Sequence, residues 1–324
     1  MGVKRKIKKA AEADVVTIRE AFDEFIEEKI AKNLSQTTIT NYESSLSYFL
    51  TFHEYTDDTP TIAITLSDIY EWQNSLKLDG VSISSINHYL RDCRTFFYWC
   101  MNTDRKYIEP GFKIEMVKGQ EESLKIFTDE EMDLLLEKPK NRDSFVDWRT
   151  WAIISWVLAT GNRASTICEV RIGDVDYKNK EIELRHTKNK KAQNIPLSSS
   201  LEIVLKEYCK MWRRGAPATA WLFPNIGEDQ LTTNALRQAF GKYCESRGVD
   251  KSNIHGLRHS FARAWIKNNG STFQLQKILG HSTLEMTRKY VRLFSEDLKQ
   301  DFDKFNPLDN IKRSAKRTKN VSRS

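Results

Sequence analysis

The sequence lacks any apolar run of the length that a membrane helix requires. A membrane-spanning helix needs roughly 18 to 20 apolar residues, whereas the longest candidate, residues 151–159, reads only WAIISWVLA. Residues 1–10, MGVKRKIKKA, are followed by acidic residues and not by the apolar core of a signal peptide. We therefore expect a cytoplasmic protein.

The sequence also lacks the paired cysteines of a CxxC motif. None of the five cysteines belongs to a CxxC motif, and most lie among apolar residues of predicted helices (Cys93, Cys100, Cys168, Cys209 and Cys244). We interpret them as reduced core residues, in preference to a disulfide framework or a zinc site.

The chain carries a net positive charge of +7, because 51 Lys and Arg exceed 44 Asp and Glu. This sign suits a polyanionic partner such as nucleic acid, although composition alone favours it only modestly.

The first domain is predicted to be entirely helical. The chain has 324 residues, which is enough for two cores of ordinary size. Thr17 and Glu20 have the spacing of a capping box, and four segments with helical periodicity follow. These segments predict a helical domain over residues 17–110, after a basic tail at 1–16.

A linker and a second domain follow. Residues 111–127 combine charge with glycine and show no hydrophobic period, which is typical of a linker. Thr128 and Glu131 form a second capping-box signature and begin the second domain, predicted over 128–311. Residues 312–324 are basic and poor in apolar residues, so we expect a disordered tail.

The second domain is predicted to be rich in helices with a small antiparallel β-sheet. Residues 148–160 are apolar nearly all round, which indicates a helix at the centre of a core, and Arg163 follows in the turn after it. Residues 181–186 and 193–197 alternate as strands do, so the basic segment with Lys188 between them is predicted as a hairpin turn. The fold class is therefore mainly α.

The candidate chemistry is phosphoryl transfer, centred on residues near the C-terminus. His255 and Arg258 are three apart on a predicted helix and so share a face. Arg258 and Arg163 could clamp one phosphate, and the phenol of Tyr290 could attack its phosphorus. A phenol needs a base near neutral pH, for which His255 is the candidate, and Lys188 could supply the acid. This scheme requires neither a metal ion nor a cofactor.

A zinc hydrolase is the competing interpretation of the same helix. His255 and His259 lie four apart, as zinc ligands do in an HExxH helix. Position 256 is glycine, however, so the carboxylate that acts as base in such enzymes is missing. We therefore predict no metal site and interpret His259 as a structural donor beneath the site.

Five linked motifs resemble the tyrosine recombinase (phage integrase) family. They are TGNRAS around Arg163, TKNKKAQNIPL around Lys188, HGLRHSFA around His255 and Arg258, LGHS around His281, and RKY ending at Tyr290. The motifs occur in the order found in the family and together span the second domain. The helical first domain is similar to the SAM-like, core-binding domain of that family in its layout.

The resemblance implies a role for each matching residue. Arg163 and Arg258 would hold the scissile phosphate, and Lys188 would protonate the leaving 5′ oxygen. His255 would manage the proton of the nucleophile, and His281 would hydrogen-bond the phosphate. Tyr290, the last of the six catalytic residues, would form a 3′-phosphotyrosyl link during site-specific DNA cleavage and rejoining through a Holliday junction.

The resemblance also implies an assembly on duplex DNA. Two domains would close around inverted-repeat core sites as a clamp, and four protomers would synapse two sites. The helix predicted at 295–305 would dock on a neighbouring protomer. The free protein would be a monomer or a weak oligomer associated with the nucleoid, an accessory directionality factor could bias the reaction, and no cofactor would be needed.

One position departs from the family, and two other functions stay open. Many members have an acidic residue where this chain has Thr166, so another group, with Glu169 as a weak candidate, must orient Arg163. A type IB topoisomerase would use similar chemistry to relax DNA, and a catalytically inactive DNA-binding regulator would keep the fold without the reaction. The complete set of site residues favours a recombinase over the inactive regulator, and the helix predicted after Tyr290 favours it over the topoisomerase.

Overall fold

The chain forms two compact units, Met1–Glu122 and Ser123–Ser324. The computed structural model describes residues 16–102, 113–119, 126–140, 143–185 and 192–294. The described residues are mostly helical and include one small antiparallel sheet, which confirms the predicted fold class. No helix among these residues is both long and apolar enough to cross a membrane.

Four helices form the first unit, and their ends follow local capping signals. They are α1 (Ile18–Ala31), α2 (Gln36–Phe52), α3 (Leu66–Leu78) and α4 (Ile83–Asn102). The Thr17 side chain accepts a hydrogen bond from the Glu20 amide, and the Glu20 carboxylate accepts one from the Thr17 amide, as the capping box predicts. The core between the helices is aromatic, with fully buried Phe25, Phe49 and Trp72. Burial of these large rings stabilises the bundle.

The second unit surrounds one buried helix. In chain order its helices are α5 (Asp129–Leu136), α6 (Phe145–Thr160), α7 (Ala164–Ile167), α8 (Ser199–Trp212), α9 (Thr233–Ser246), α10 (Ile254–Lys267), α11 (Thr272–Leu279) and α12 (Leu284–Phe294). Helix α6 is buried on all sides by α8, α9 and α10, as its apolar sequence predicts. It begins three residues earlier than predicted, because the capping box of Ser144 and Asp147 sets its start.

The sheet has three antiparallel strands in the order β1 (Val175–Asp176), β2 (Glu181–Leu184) and β3 (Gln193–Pro196). Ile182 pairs with Ile195, and both side chains face the core. Strand β1 was not predicted, since two residues are too few to show an alternating pattern. The predicted hairpin turn, with Lys188, lies outside the described residues.

Helices α10, α11 and α12 pack together at the end of the described chain. Helix α12 continues to Phe294, beyond the predicted end at Tyr290. Phe261 of α10 and Leu279 of α11 are buried with Tyr290 in a separate small cluster. The predicted exchange helix at 295–305 and the tail at 312–324 lie outside the described residues, as does the N-terminal tail apart from residue 16.

Candidate active site

Five of the six predicted site residues lie in the described chain, and all five belong to the second unit. Arg163 is the N-cap of α7, directly after the buried α6. His255 and Arg258 lie in the first turns of α10, His281 follows α11, and Tyr290 lies on α12. The sixth residue, Lys188, lies outside the described residues.

Arg258 is the best-anchored side chain of this cluster. It is 2% exposed. Its Nη1 donates to the Gly161 carbonyl at 2.7 Å, and its Nη2 donates to the Leu279 carbonyl at 3.0 Å and to Nε2 of His281 at 2.9 Å. The Tyr290 hydroxyl lies close enough to raise the pKa of Arg258. Burial and the charge of Arg163 lower the pKa of Arg258 to about 10, so the guanidinium remains charged at neutral pH.

Gly161 allows the backbone to approach Arg258. It ends α6 in the left-handed conformation, with φ of 65°. A Cβ atom at this position would lie 2.5 Å from the Phe261 ring and 2.6 Å from Leu279. Glycine is therefore required both by the backbone angle and by the close packing of α10 and α11. The carbonyl that anchors Arg258 depends on this turn.

His281 links Arg258 to helix α12. Because Arg258 has only donors, Nε2 of His281 must be the acceptor in their contact. Nδ1 then carries the proton and donates to Oγ1 of Thr287 at 2.8 Å. Thr287 is fully buried and lies one turn before Tyr290. Burial and the charges of Arg258 and Arg163 lower the pKa of His281 to about 4, which keeps the ring neutral at pH 7.

The Tyr290 phenol lies within this network and is 5% exposed. Its hydroxyl is 2.8 Å from Nδ1 of His259, and its ring is stacked on His281 with 6.2 Å between ring centroids. Burial raises the pKa of Tyr290, while Arg258 and Arg163 oppose that rise. The hydroxyl therefore keeps its proton at neutral pH and needs an acceptor for it before it can attack.

The histidine in contact with the phenol differs from the predicted one. The sequence predicts that His255 takes the proton of Tyr290 and that His259 is a structural donor beneath the site. In the structure His259 makes the hydrogen bond to Tyr290. The His255 side chain is exposed, and its ring meets the edge of the His259 ring with 4.7 Å between centroids. The spacing of four places both rings on one helix face, but it does not decide which ring reaches α12.

Arg163 completes the positive cluster. Burial lowers the pKa of its guanidinium, and Tyr290 lies close enough to affect that pKa. Arg163 in turn lowers the pKa values of His255 and His281, after the larger effects of burial and of Arg258. Glu169 makes no ion pair with Arg163 in the described part of the chain, so the hypothesis that Glu169 orients it has no contact to support it. The Arg163 carbonyl accepts from the Ile167 amide at 3.1 Å, which fixes its backbone at the start of α7.

The described residues contain no group of three or more His, Cys, Asp or Glu side chains that could hold a metal ion. Arg258, and not a carboxylate, lies between His255 and His259 in the sequence of α10, and it points its donors at the site. The arrangement collects guanidinium and imidazole groups around a phenol. Such groups bind an anionic phosphate and stabilise the charge that develops on it during substitution.

Comparison with known proteins gives the chain two family matches. Residues 125–297 match the model of the phage integrase family, and residues 20–103 match its N-terminal SAM-like domain. Tyrosine recombinase XerD of Listeria innocua is 26% identical over 285 residues, which cover 86% of this chain and 95% of XerD. Tyrosine recombinase XerA of Pyrococcus furiosus is 26% identical over 298 residues, covering 90% of this chain and 96% of XerA.

Solved structures of two integrases share the fold. The Tn1549 transposon integrase, in complex with a circular intermediate DNA, aligns with a TM-score of 0.71 and 21% identity over 87% of this chain and 96% of the integrase chain. A lambda integrase dimer bound to a core site aligns with a TM-score of 0.67 and 18% identity over 88% and 80% of the two chains. At these identities the alignments describe the fold alone.

Proposed function

The chain belongs to the phage integrase family, and we propose that it is a site-specific tyrosine recombinase, an enzyme that cleaves and rejoins DNA strands at defined sites. The observation that carries this proposal is the buried phenol of Tyr290, held beside two guanidinium groups on a chain whose relatives are named recombinases. A phenol so placed is a nucleophile next to a phosphate-binding cluster.

We assign phosphate binding to Arg163 and Arg258. Both are arginines whose donors are held in a fixed fork, and such forks match the geometry of phosphate oxygens. Arg258 is buried, so its interaction with an anion is screened less by water than that of an exposed arginine. His255 is exposed beside them and is open to a DNA backbone, and His281 positions Arg258 by accepting a hydrogen bond from it.

We propose that Tyr290 is the nucleophile and that Lys188 is the general acid. The Tyr290 oxygen attacks the phosphorus, a 3′-phosphotyrosyl link forms, and the 5′ oxygen leaves with a proton from Lys188. The assignment of Lys188 rests on the family motif TKNKKA alone. Because the diester energy is kept in the phosphotyrosyl bond, rejoining needs no added cofactor.

We also propose a role for each segment of the chain. Residues 17–110 would be the core-binding domain, 111–127 a linker and 128–311 the catalytic domain, with 295–305 as the exchange helix. The lambda integrase forms a tetramer on a Holliday junction, and we propose the same assembly here, on duplex DNA of the nucleoid with inverted-repeat core sites. A directionality factor would act on this assembly and not on the chemistry.

Covalent capture of DNA tests the proposal. The chain is incubated with a pool of nicked duplexes in which random inverted repeats flank a short spacer, so that cleavage releases a fragment and traps the covalent product. We expect DNA that stays attached to protein under denaturing conditions, with the nucleotide adduct on Tyr290 by mass spectrometry. Tyr290→Phe should bind DNA and trap none.

Tyr243→Phe is the matched control, since it removes a hydroxyl from a buried tyrosine of the same unit that lies outside the cluster. It should trap DNA as the unchanged chain does. A failure of the unchanged chain to trap any duplex, or an adduct that survives in Tyr290→Phe, would contradict the proposal. Relaxation of supercoiled plasmids without a selected site would favour the topoisomerase instead.

A further inference from the structure

The Tyr290 hydroxyl has two neighbours with opposite hydrogen-bonding character. Arg258 can only donate, so the phenol oxygen acts as an acceptor towards it. The oxygen keeps its own proton, and Nδ1 of His259 lies 2.8 Å from it. When the neutral His259 ring carries its proton on Nε2, Nδ1 is the acceptor for the phenol proton. In this tautomer the hydrogen bonds run from guanidinium to phenol oxygen and from phenol proton to imidazole.

We propose that His259 is a catalytic residue that takes the proton of Tyr290 as the phenol attacks, an assignment that rests on the proposed function. The Tyr290 oxygen forms a bond to phosphorus while the bond from phosphorus to the 5′ oxygen breaks. The phenol proton moves to Nδ1 of His259, and the 5′ oxygen receives a proton from Lys188. In the rejoining step both protons return, so no further reactant is needed.

The charges around His259 suit this role. On α10 its neighbours are His255 and Arg258, and Tyr290 faces it from α12. Arg163 and His281 also lie near the phenol. The guanidinium groups of Arg258 and Arg163 act on the same phenol that His259 contacts. A phosphate bound by them would therefore lie beside the proton that His259 receives.

The obvious alternative base, His255, is one ring further from the phenol. The His255 and His259 rings are in edge contact, and His259 and Tyr290 ring centroids are 5.5 Å apart. A base must come within hydrogen-bond distance of the proton it removes. His259 meets that condition in the structure. His255 is exposed and is placed to act on the phosphate or to relay a proton outward from His259.

The experiment measures the first-order rate of adduct formation against pH, with a duplex selected by the unchanged chain in the covalent capture described above. His259→Gln keeps an acceptor for the phenol but cannot take a proton. At pH 7 we expect its rate to fall about 10²-fold or more, the usual contribution of a general base. We also expect its rate to rise steadily with pH, because only ionised phenol can then attack. Lys267→Gln, the control at an exposed position in the last turn of the same helix, should keep the pH profile of the unchanged chain.

Two further measurements separate the base from the acid and from a structural role. Sulfur in place of the 5′ bridging oxygen makes a leaving group that needs no acid, so it should restore Lys188→Ala and leave His259→Gln slow. In the full chain without DNA, histidine ¹⁵N NMR at neutral pH should show Nδ1 of His259 without a proton. A thermal unfolding midpoint close to that of the unchanged chain checks that His259→Gln is folded.

The outcomes distinguish the two proposals. An unchanged pH profile in His259→Gln, restoration of that variant by the sulfur substrate, or a proton on Nδ1 in the neutral ring would overturn the assignment of His259 alone. An unchanged chain that forms no adduct with any duplex would overturn the proposed function and this assignment with it.

Discussion

Acidification should destabilise the second unit through His281. In the folded chain, burial and the charges of Arg258, Arg163 and His255 lower the pKa of this ring from 6.5 to about 4. The His281 ring therefore stays neutral in the folded chain as the pH falls below about 6.5, where the same ring in the unfolded chain becomes protonated. Since the unfolded state binds more protons in this window, stability is lost as the pH falls from about 6.5 towards 4.

The size of this loss follows from the two pKa values. Each pKa unit corresponds to about 1.4 kcal/mol, so a fall from 6.5 to about 4 sets an upper limit of about 3 kcal/mol. The ring is only partly buried, and water screens part of the repulsion, which reduces the expected loss to on the order of 1–2 kcal/mol. The protonated ring could also no longer accept the hydrogen bond from Arg258.

Denaturant unfolding at about pH 7 and about pH 4.5 measures the effect. Six of the eight tryptophans lie in the second unit, so their fluorescence reports mainly on it. His281→Gln should lose on the order of 1–2 kcal/mol less on acidification than the unchanged chain. His88→Gln, which removes a partly exposed histidine from the first unit, should keep the full loss. Equal acid sensitivity of His281→Gln and the unchanged chain would refute the reasoning.

Two substitutions test the packing around the cluster. Thr287→Val keeps the size of the side chain but leaves Nδ1–H of His281 without its acceptor, so the free energy of unfolding should fall by about 1–3 kcal/mol. Thr287→Ser keeps the hydroxyl and should retain the hydrogen bond. An equal loss of stability in both variants would show that the bond is unimportant. Gly161→Ala should cost on the order of 2–4 kcal/mol, because it adds a clash with Phe261 to a left-handed backbone. Gly248 also has a positive φ, but no atom lies within 4 Å of a Cβ placed there. Gly248→Ala should therefore lose less stability in the same unfolding assay, and equal losses would contradict the clash.

Most of the helical fold could be predicted because its signals are local. The predicted capping boxes at Thr17 and Thr128 each lie within four residues of the chain and need no tertiary contact. Hydrophobic periodicity likewise depends only on the segment that shows it. Strand β1 is different, since two residues pair with β2 only after the sheet has formed. Its place depends on contacts that no local pattern encodes.

Five of the predicted site residues lie together in the structure, but their hydrogen bonds could not be predicted. Motif order identified the residues that the structure brings together on α10, α12 and the adjacent turns. The choice between His255 and His259 depends on where α12 packs against α10, and that packing is a tertiary property. Thr287 was missed for the same reason, because a buried threonine on an amphipathic helix gives no signal until its hydroxyl meets His281.

The hydrogen bonds of Arg258 constrain how a phosphate can enter the site. A guanidinium has five N–H donors, and those of Arg258 bond three protein acceptors: two carbonyls and Nε2 of His281. Two donors are left for a phosphate, and the Tyr290 oxygen lies close enough to compete for them. The carbonyls of Gly161 and Leu279 belong to the backbone of helix ends, whereas the phenol and the imidazole can move.

Phosphate binding and activation of the phenol are therefore coupled through Arg258. If the phosphate takes the donor that now points at Tyr290, the phenol oxygen loses that contact at the moment when the phosphorus comes beside it. Its remaining hydrogen bond, to His259, is the one through which its proton can leave. Without DNA, burial raises the pKa of the phenol and Arg258 opposes that rise. A phosphate that draws Arg258 away from the phenol therefore makes Tyr290 depend more strongly on His259 as the acceptor of its proton.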